Sequence, residues 1–165
     1  VKTVDIAKIS VLGALVTVAT IVFQIPTPAT KGYINLGDTF IFIGAILLGR
    51  KSGLLIGGIG SALADILSGY AHWAPFTLVI KGLEGYIAGF ASPIYKEEKI
   101  NYFLSILILT GASIVMITGY FMVEVFMYGT AAALAELPGN MFQGGASIVI
   151  SIVILITLKK AGIKL

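Results

Sequence analysis

Residues 53–89 read GLLIGGIGSALADILSGYAHWAPFTLVIKGLEGYIAG, an apolar stretch that carries Asp65, Lys81 and Glu84 where lipid does not tolerate charge. An ionised side chain at bilayer depth costs at least ~2.5–3.5 kcal/mol on insertion scales, so such residues normally face a bundle interior or a cavity. Glycines four apart accompany them, Gly53/Gly57 and Gly85/Gly89. Small residues at that spacing let helices approach closely. The stretch therefore predicts a close-packed helical hairpin that forms part of a ligand site open to one side of a membrane.

The rest of the chain has the same solvent preference. Of 165 residues 58% are hydrophobic and 12% charged, and the mean hydropathy is +1.01. A soluble domain is about 45–50% apolar and ~25% charged. At roughly 20 residues per span, the length holds five or six helices in one domain covering residues 1–165. There are no cysteines, which removes disulfides, thiolate metal sites and a Cys nucleophile. The formal charge of +3 belongs to topology rather than to nucleic acid, because no soluble basic patch exists to track phosphates.

Val1–Ile25 opens with Lys2, Asp5 and Lys8 before an apolar run to Phe23. The run reads as a first span rather than a secretory signal, since Pro26 and Pro28 end it without a small-x-small cleavage site. Ser10/Ala14 and Gly13/Thr17 give it small residues four apart, suited to a partner helix or to packing within the chain. Gln24–Asp38 (QIPTPATKGYINLGD) has two prolines and two glycines and reads as a binding loop or lid. Tyr33, Asn35 and Asp38 lie within reach of a ligand from it, although Asp38 reads better as a cap for the next helix. Thr39–Leu48 is short for a span, about 15 Å if helical. Gly44-x4-Gly49-Arg50-Lys51-Ser52 approaches a phosphate-binding loop, but an Arg is inserted and a hydrophobic helix precedes it, so an ATP site is rejected.

Gly53–Ser68 is then a third span, Gly69–Ala74 a turn, and Pro75 to about Tyr95 a fourth. Tyr102–Tyr128 is a fifth, Gly129–Asn140 a loop with some helical character, and Met141–Leu158 a sixth. Six spans place both termini on one side. That side collects Lys2, Lys8, Arg50, Lys51, Lys96, Lys99, Lys159, Lys160 and Lys164, against Lys31 alone in the opposite loops. The asymmetry predicts cytoplasmic termini.

This topology sets depths. Lys81 falls about 9 Å and Glu84 about 14 Å below the start of the fourth span. Asp65, Glu124, Asn140 and Gln143 fall in the same outer half. The expected pocket is lined by Tyr33, Asn35, Asp65, Trp73, Lys81, Glu84, Glu124, Asn140 and Gln143, with Trp73 and Tyr33 as stacking candidates. His72 reads as a surface residue rather than a relay or metal ligand. Asp65, Glu84 and Glu124 against Lys81 leave the site acidic, which suits a neutral or weakly basic heteroaromatic whose ring nitrogens, amino or hydroxymethyl groups pair with carboxylates. No Ser/His/acid spacing, HExxH pattern or cofactor loop is present, so no catalytic residue, cofactor or metal is expected.

GYINLGDTFIFIGAILLG (Gly32–Gly49) followed by GGIGSALADILSGYAHWAPFTLVIKGLEGYIAG (Gly57–Gly89) resembles the S components of energy-coupling factor (ECF) vitamin transporters, in the riboflavin-type branch. That branch includes relatives assigned to hydroxymethylpyrimidine or pyridoxine. The resemblance implies a six-helix, all-α binding subunit without catalytic activity in a prokaryotic plasma membrane. It captures a vitamin from outside and docks on a transmembrane coupling protein and two ATPases. It also implies a docking face of small residues on the first helix, for which Ser10-x3-Ala14 stands in place of the family's Ala-x3-Ala. Hydroxymethylpyrimidine or pyridoxine suits the acidic pocket best and riboflavin next. A stand-alone proton-coupled carrier using Glu84 and Glu124 is the alternative, and a scaffold held together by buried charges is a third reading.

Overall fold

A computed structural model describes residues 3–162, so Lys2 and Lys164 of the charge count lie outside the described residues. The elements are α1 (Thr3–Val22), β1 (Ile25–Thr27), β2 (Gly32–Ile34), α2 (Gly37–Leu48), α3 (Arg50–Leu67) and α4 (Ala74–Ala88). A 3-10 turn (Gly89–Ala91) leads to α5 (Ser92–Lys96), and α6 (Tyr102–Tyr128) and α7 (Thr130–Lys160) complete the chain. Three of these, α1, α6 and α7, are long and apolar enough to cross a membrane by length and composition alone.

α2 forms the centre. At 12 residues it is about 18 Å long, yet Gly37–Thr39 and Ile41–Leu47 are all buried. It packs against α1, α3, α4 and α7, and its Phe42, Ile43, Ala45 and Ile46 meet Ala88, Leu109, Ala112 and Leu155. A helix so covered by its neighbours has no need to match the bilayer's thickness. The apolar side chains left outside, such as Val11, Val18, Phe103, Ile114, Phe126, Phe142 and Val153, form the outer shell. Where α6 meets α7, Gly144 lies against Ser113, small residues that permit close approach where lipid supplies no hydrophobic drive.

The α3–α4 pair packs as its glycines require. A Cβ on Gly53 would meet the backbone of Gly85, one on Gly57 the Lys81 carbonyl, and one on Gly89 the backbone of Arg50. α3 and α4 therefore run antiparallel with their backbones in contact. The small residues of α1 divide differently. The Thr17 hydroxyl lies 3.1 Å from Gly13 O and 2.7 Å from Gly60 O, and its shorter bond fixes that face against α3. Ser10 and Ala14, by contrast, are exposed.

Several boundaries differ from expectation. The Gln24–Asp38 stretch contains a short antiparallel hairpin, with Ile25 opposite Ile34 and Thr27 opposite Gly32. Gly49 alone separates α2 from α3, because its φ of 87° reverses the chain in one residue. The fourth span stops at Ala88 and continues only as the 3-10 turn and α5, with Pro93 in α5's first turn. Gly129–Asn140 is not a loop: α7 starts at Thr130 and runs through Pro138. The alanine-rich Ala131–Leu137 favours helix strongly enough to absorb the one hydrogen bond that proline removes.

Candidate ligand-binding site

The β1–β2 hairpin, α3, α4, α6 and α7 converge on a small polar cavity, open on one side. Thr27, Thr30, Gly32 and Tyr33 line it from the hairpin, and Asn35 from the segment leading into α2. Asp65, Trp73 and Thr77 line it from α3, α4 and the turn between them, Tyr120 and Glu124 from α6, and Glu136, Asn140 and Gln143 from α7. Seven of the nine expected residues are thus brought together: Tyr33, Asn35, Asp65, Trp73, Glu124, Asn140 and Gln143.

Lys81 and Glu84 are not among the lining residues. Both are buried, and Lys81 Nζ pairs with Asp38 Oδ1 and, at 3.1 Å, with Glu84 Oε2. Asp38 is correspondingly not a helix cap; the residue at the cap of α2 is Leu36, and Asn35 Oδ1 accepts the Gly37 N–H at 2.8 Å. The buried triad ties α2 to α4. It also reaches the cavity indirectly. Asp38 Oδ2 accepts from Gln143 Nε2 (2.9 Å), while Gln143 Oε1 accepts the Asn35 N–H (2.8 Å). Those two partners permit one orientation of the Gln143 amide only.

The charge inventory changes accordingly. Among the described residues, three carboxylates line the cavity, Asp65, Glu124 and Glu136, and no lysine or arginine does. Asp65 Oδ1 accepts from the Tyr33 hydroxyl at 2.5 Å. Glu124 Oε1 accepts from Asn140 Nδ2 at 3.4 Å, but Glu124 Oε2 is buried without a partner. Such an orphaned acceptor costs about 1–3 kcal/mol, more when charged. Tyr33, outside the spanning helices, has its phenol pushed above the usual tyrosine range, first by burial and then by the Asp65 carboxylate.

Aromatic rings supply the apolar surface. Trp73 is buried and lies 5.9 Å from Tyr120 and 6.0 Å from Tyr128 between ring centroids. Its Nε1–H donates to the Lys31 carbonyl of the hairpin at 3.3 Å. Tyr33 meets Tyr70 edge-on at 4.8 Å. Gln24 Nε2 donates to Ser68 Oγ at 3.0 Å, a third tie between the hairpin end and the α3–α4 turn. His72 is exposed, as expected.

Thr27, Thr30, Gly32, Thr77, Tyr120 and Glu136 are lining residues that the sequence reading does not single out. Helical spacing holds a signal for three of them. Tyr120 is four before Glu124, Thr77 four before Lys81, and Glu136 four before Asn140 and seven before Gln143, so each shares a face with a residue already named. Glu136 is hidden because its segment ends in the residues of a turn.

A helical bundle with an apolar exterior and, among the described residues, a polar, aromatic-lined cavity defines a membrane protein with a polar interior site. The chain belongs to the ECF-type riboflavin transporter S component family, whose model matches residues 1–160. An uncharacterized protein of Pyrococcus woesei is 43% identical over 135 residues, covering 82% of this chain and 88% of that protein. The thiamine precursor transporter HmpT of Lactococcus lactis is 31% identical over 163 residues, covering 96% and 92%. The solved S component of a bacterial ECF transporter shares the fold, with a TM-score of 0.64 at 23% identity over 96% of this chain and 95% of that one.

Proposed function

We propose that this chain captures a small single-ring heteroaromatic vitamin or vitamin precursor at the outer face of the cell membrane and delivers it inward with an ECF module, one transmembrane coupling protein and two ATPases. The observation that carries the reading is the cavity: polar, walled by three carboxylates and an aromatic cluster, within an otherwise apolar bundle. An acidic lining suits a ring that presents amino or hydroxymethyl donors, which favours hydroxymethylpyrimidine or pyridoxine over riboflavin. The likeness to a thiamine precursor transporter over nearly the whole chain points the same way.

The topology that goes with this reading has six crossings, α1, α2, α3, α4 with α5, α6 and α7, and cytoplasmic termini. The basic residues of the α2–α3 and α5–α6 turns and the end of α7 support it. Ser10 and Ala14 would meet the coupling protein. The proton-carrier alternative loses support, because Glu84 is held in the Lys81 triad while Glu124 pairs with Asn140.

Mass spectrometry of the small molecule that co-purifies, followed by calorimetric titration of the purified protein, tests the proposal. A single-ring heterocycle bearing hydrogen-bond donors is expected. Tighter binding of a dianion such as folate than of neutral heterocycles would refute it, as would uptake driven by a pH gradient in liposomes without an ATPase.

A further inference from the structure

Two hollows meet at the end of the bundle where α1 begins, α2 ends and α3 begins, and they share no lining residue with the ligand cavity. The first is an apolar groove between α1 and α2, lined by Ala7, Lys8, Val11, Leu12, Leu47 and Leu48. Lys8 enters it with its aliphatic stem, the way a lysine covers apolar surface while its ammonium stays at the interface. Leu48 also walls the second hollow, where Asp5, Lys51 and Ser52 supply polar groups. Asp5 is engaged by a contact of its own. Among the described residues, Lys8 and Lys51 form no ion pair. Arg50, the next basic side chain, turns away from both hollows, its guanidinium 4.7 Å from the Phe90 ring and 5.9 Å from that of Tyr86. An apolar slot thus ends beside two unpaired lysines and one acid, a local excess of positive charge.

We propose that this groove holds one anionic phospholipid, with an acyl chain against Val11, Leu12 and Leu47 and the phosphate at Lys8 and Lys51. The outer shell of the bundle is apolar, so the groove is filled by lipid unless something displaces it. Its occupant has to be apolar along the slot and anionic at its end, which a phospholipid with a net negative headgroup satisfies. Free phosphate has no chain for the slot. A zwitterionic lipid brings a cationic group to two lysines that have no carboxylate of their own. Basic pockets between helices on the cytoplasmic side hold anionic headgroups in this way, and Ser52 adds a hydroxyl donor beside Lys51. Ser10 and Ala14, the small residues offered to the coupling protein, line neither hollow. Ala7 nevertheless lies three residues before Ser10, and Val11 three before Ala14, so the lipid would border that face. The inference is independent of which heterocycle fills the ligand cavity.

Native mass spectrometry of the full chain in mild detergent, with equimolar phosphatidylglycerol and phosphatidylcholine of matched acyl chains, tests this. The wild-type protein is expected to retain one phosphatidylglycerol at least ~5-fold over phosphatidylcholine, as attraction by one or two juxtamembrane lysines implies. Lys8→Gln combined with Lys51→Gln should bring that ratio close to one. Lys96→Gln combined with Lys99→Gln, which removes as much charge from the α5–α6 turn, should leave it unchanged. Ala7→Phe, which fills the apolar slot from an exposed position, should reduce retention of both lipids while keeping the wild-type unfolding temperature. Equal wild-type retention of the two lipids would overturn the inference, and this comparison needs no variant. An equal fall in the ratio for both lysine pairs would also overturn it, by showing diffuse surface charge rather than a built site. So would an unchanged ratio in the Lys8/Lys51 variant together with lost ATP-dependent uptake by Ala7→Phe in vesicles containing the complete ECF module, which would give the groove to the coupling protein.

Discussion

Removing the Lys81 ammonium would leave the Asp38 and Glu84 carboxylates facing each other in a core that excludes water. Breaking a buried pair by deleting one partner costs about 3–5 kcal/mol, since the remaining charge stays desolvated. Lys81→Met should therefore lower stability by about that amount in detergent unfolding, and a loss under about 1 kcal/mol would show that the triad does not hold α2 to α4. The same variant should loosen Gln143, whose amide is oriented through Asp38. Tyr33 makes a different kind of contact, half-buried at the mouth. Tyr33→Phe removes a charge-assisted bond to Asp65 and should cost about 1.5 kcal/mol. The pH window follows from the raised phenol. Below the ordinary tyrosine value of about 10 the hydroxyl is protonated in folded and unfolded chains alike, and its contribution is fully present. Above it the unfolded chain releases the proton first while the folded one retains it, so the bond's stabilisation declines as pH rises. Wild type should lose stability between about pH 9 and 11 more steeply than Tyr33→Phe, measured by thermal unfolding across that range. Parallel slopes would refute the assignment.

Among the elements, the α3–α4 pair depends on backbone contact rather than on side-chain volume. Gly53→Ala or Gly85→Ala would drive a methyl into the facing backbone, where no flexible side chain can yield. Each should destabilise by roughly 1–3 kcal/mol, the usual range for overpacking. Gly111→Ala in α6 is the control, because nothing lies within 4 Å of the position its methyl would take. It should be neutral or stabilising by up to about 1 kcal/mol, since alanine suits a helix interior better. Unfolding midpoints of the three variants decide the matter. This packing is legible in the sequence because glycine at i, i+4 has few other uses in an apolar helix. The start of α7 is not. Pro138-Gly139-Asn140 carries the chemistry of a turn, yet Gly139 is small because Ile34 of the hairpin presses against it, and Asn140 points to Glu124. Local composition records that a residue is small or polar, and a tertiary contact determines which use is made of it. Asp38 is misleading for the same reason: an acid at the start of α2 satisfies the helix-cap pattern, but Lys81, 43 residues away, claims it.

On the scale of the whole molecule, apolar side chains cover the exterior and the polar ones turn inward, an inversion already announced by composition and hydropathy. Seven cavity residues are legible in the sequence because ionisable or amide groups in apolar helices have few places to go. Closure of the site is harder to read, since it depends on a hairpin with no apolar periodicity. The exterior also contains a division of labour on α1. Its Gly13/Thr17 face is committed to α3 through the Thr17–Gly60 hydrogen bond, whereas Ser10 and Ala14 remain exposed a turn apart on the outside. If that exposed face meets the coupling protein, bulk added there should interfere with transport while leaving the cavity untouched. Ser10→Leu and Ala14→Leu are thus expected to keep wild-type unfolding temperature and ligand affinity. ATP-dependent uptake in vesicles containing the complete ECF module should fall by about tenfold or more, a loss of roughly 1.4 kcal/mol of association free energy when the module is not saturating. Gly60→Leu provides the contrast, because a side chain there would run into the Gly13 carbonyl and Val16 of α1 and lower stability as well. Undiminished uptake by both Ser10 and Ala14 variants would place the docking face elsewhere on the bundle.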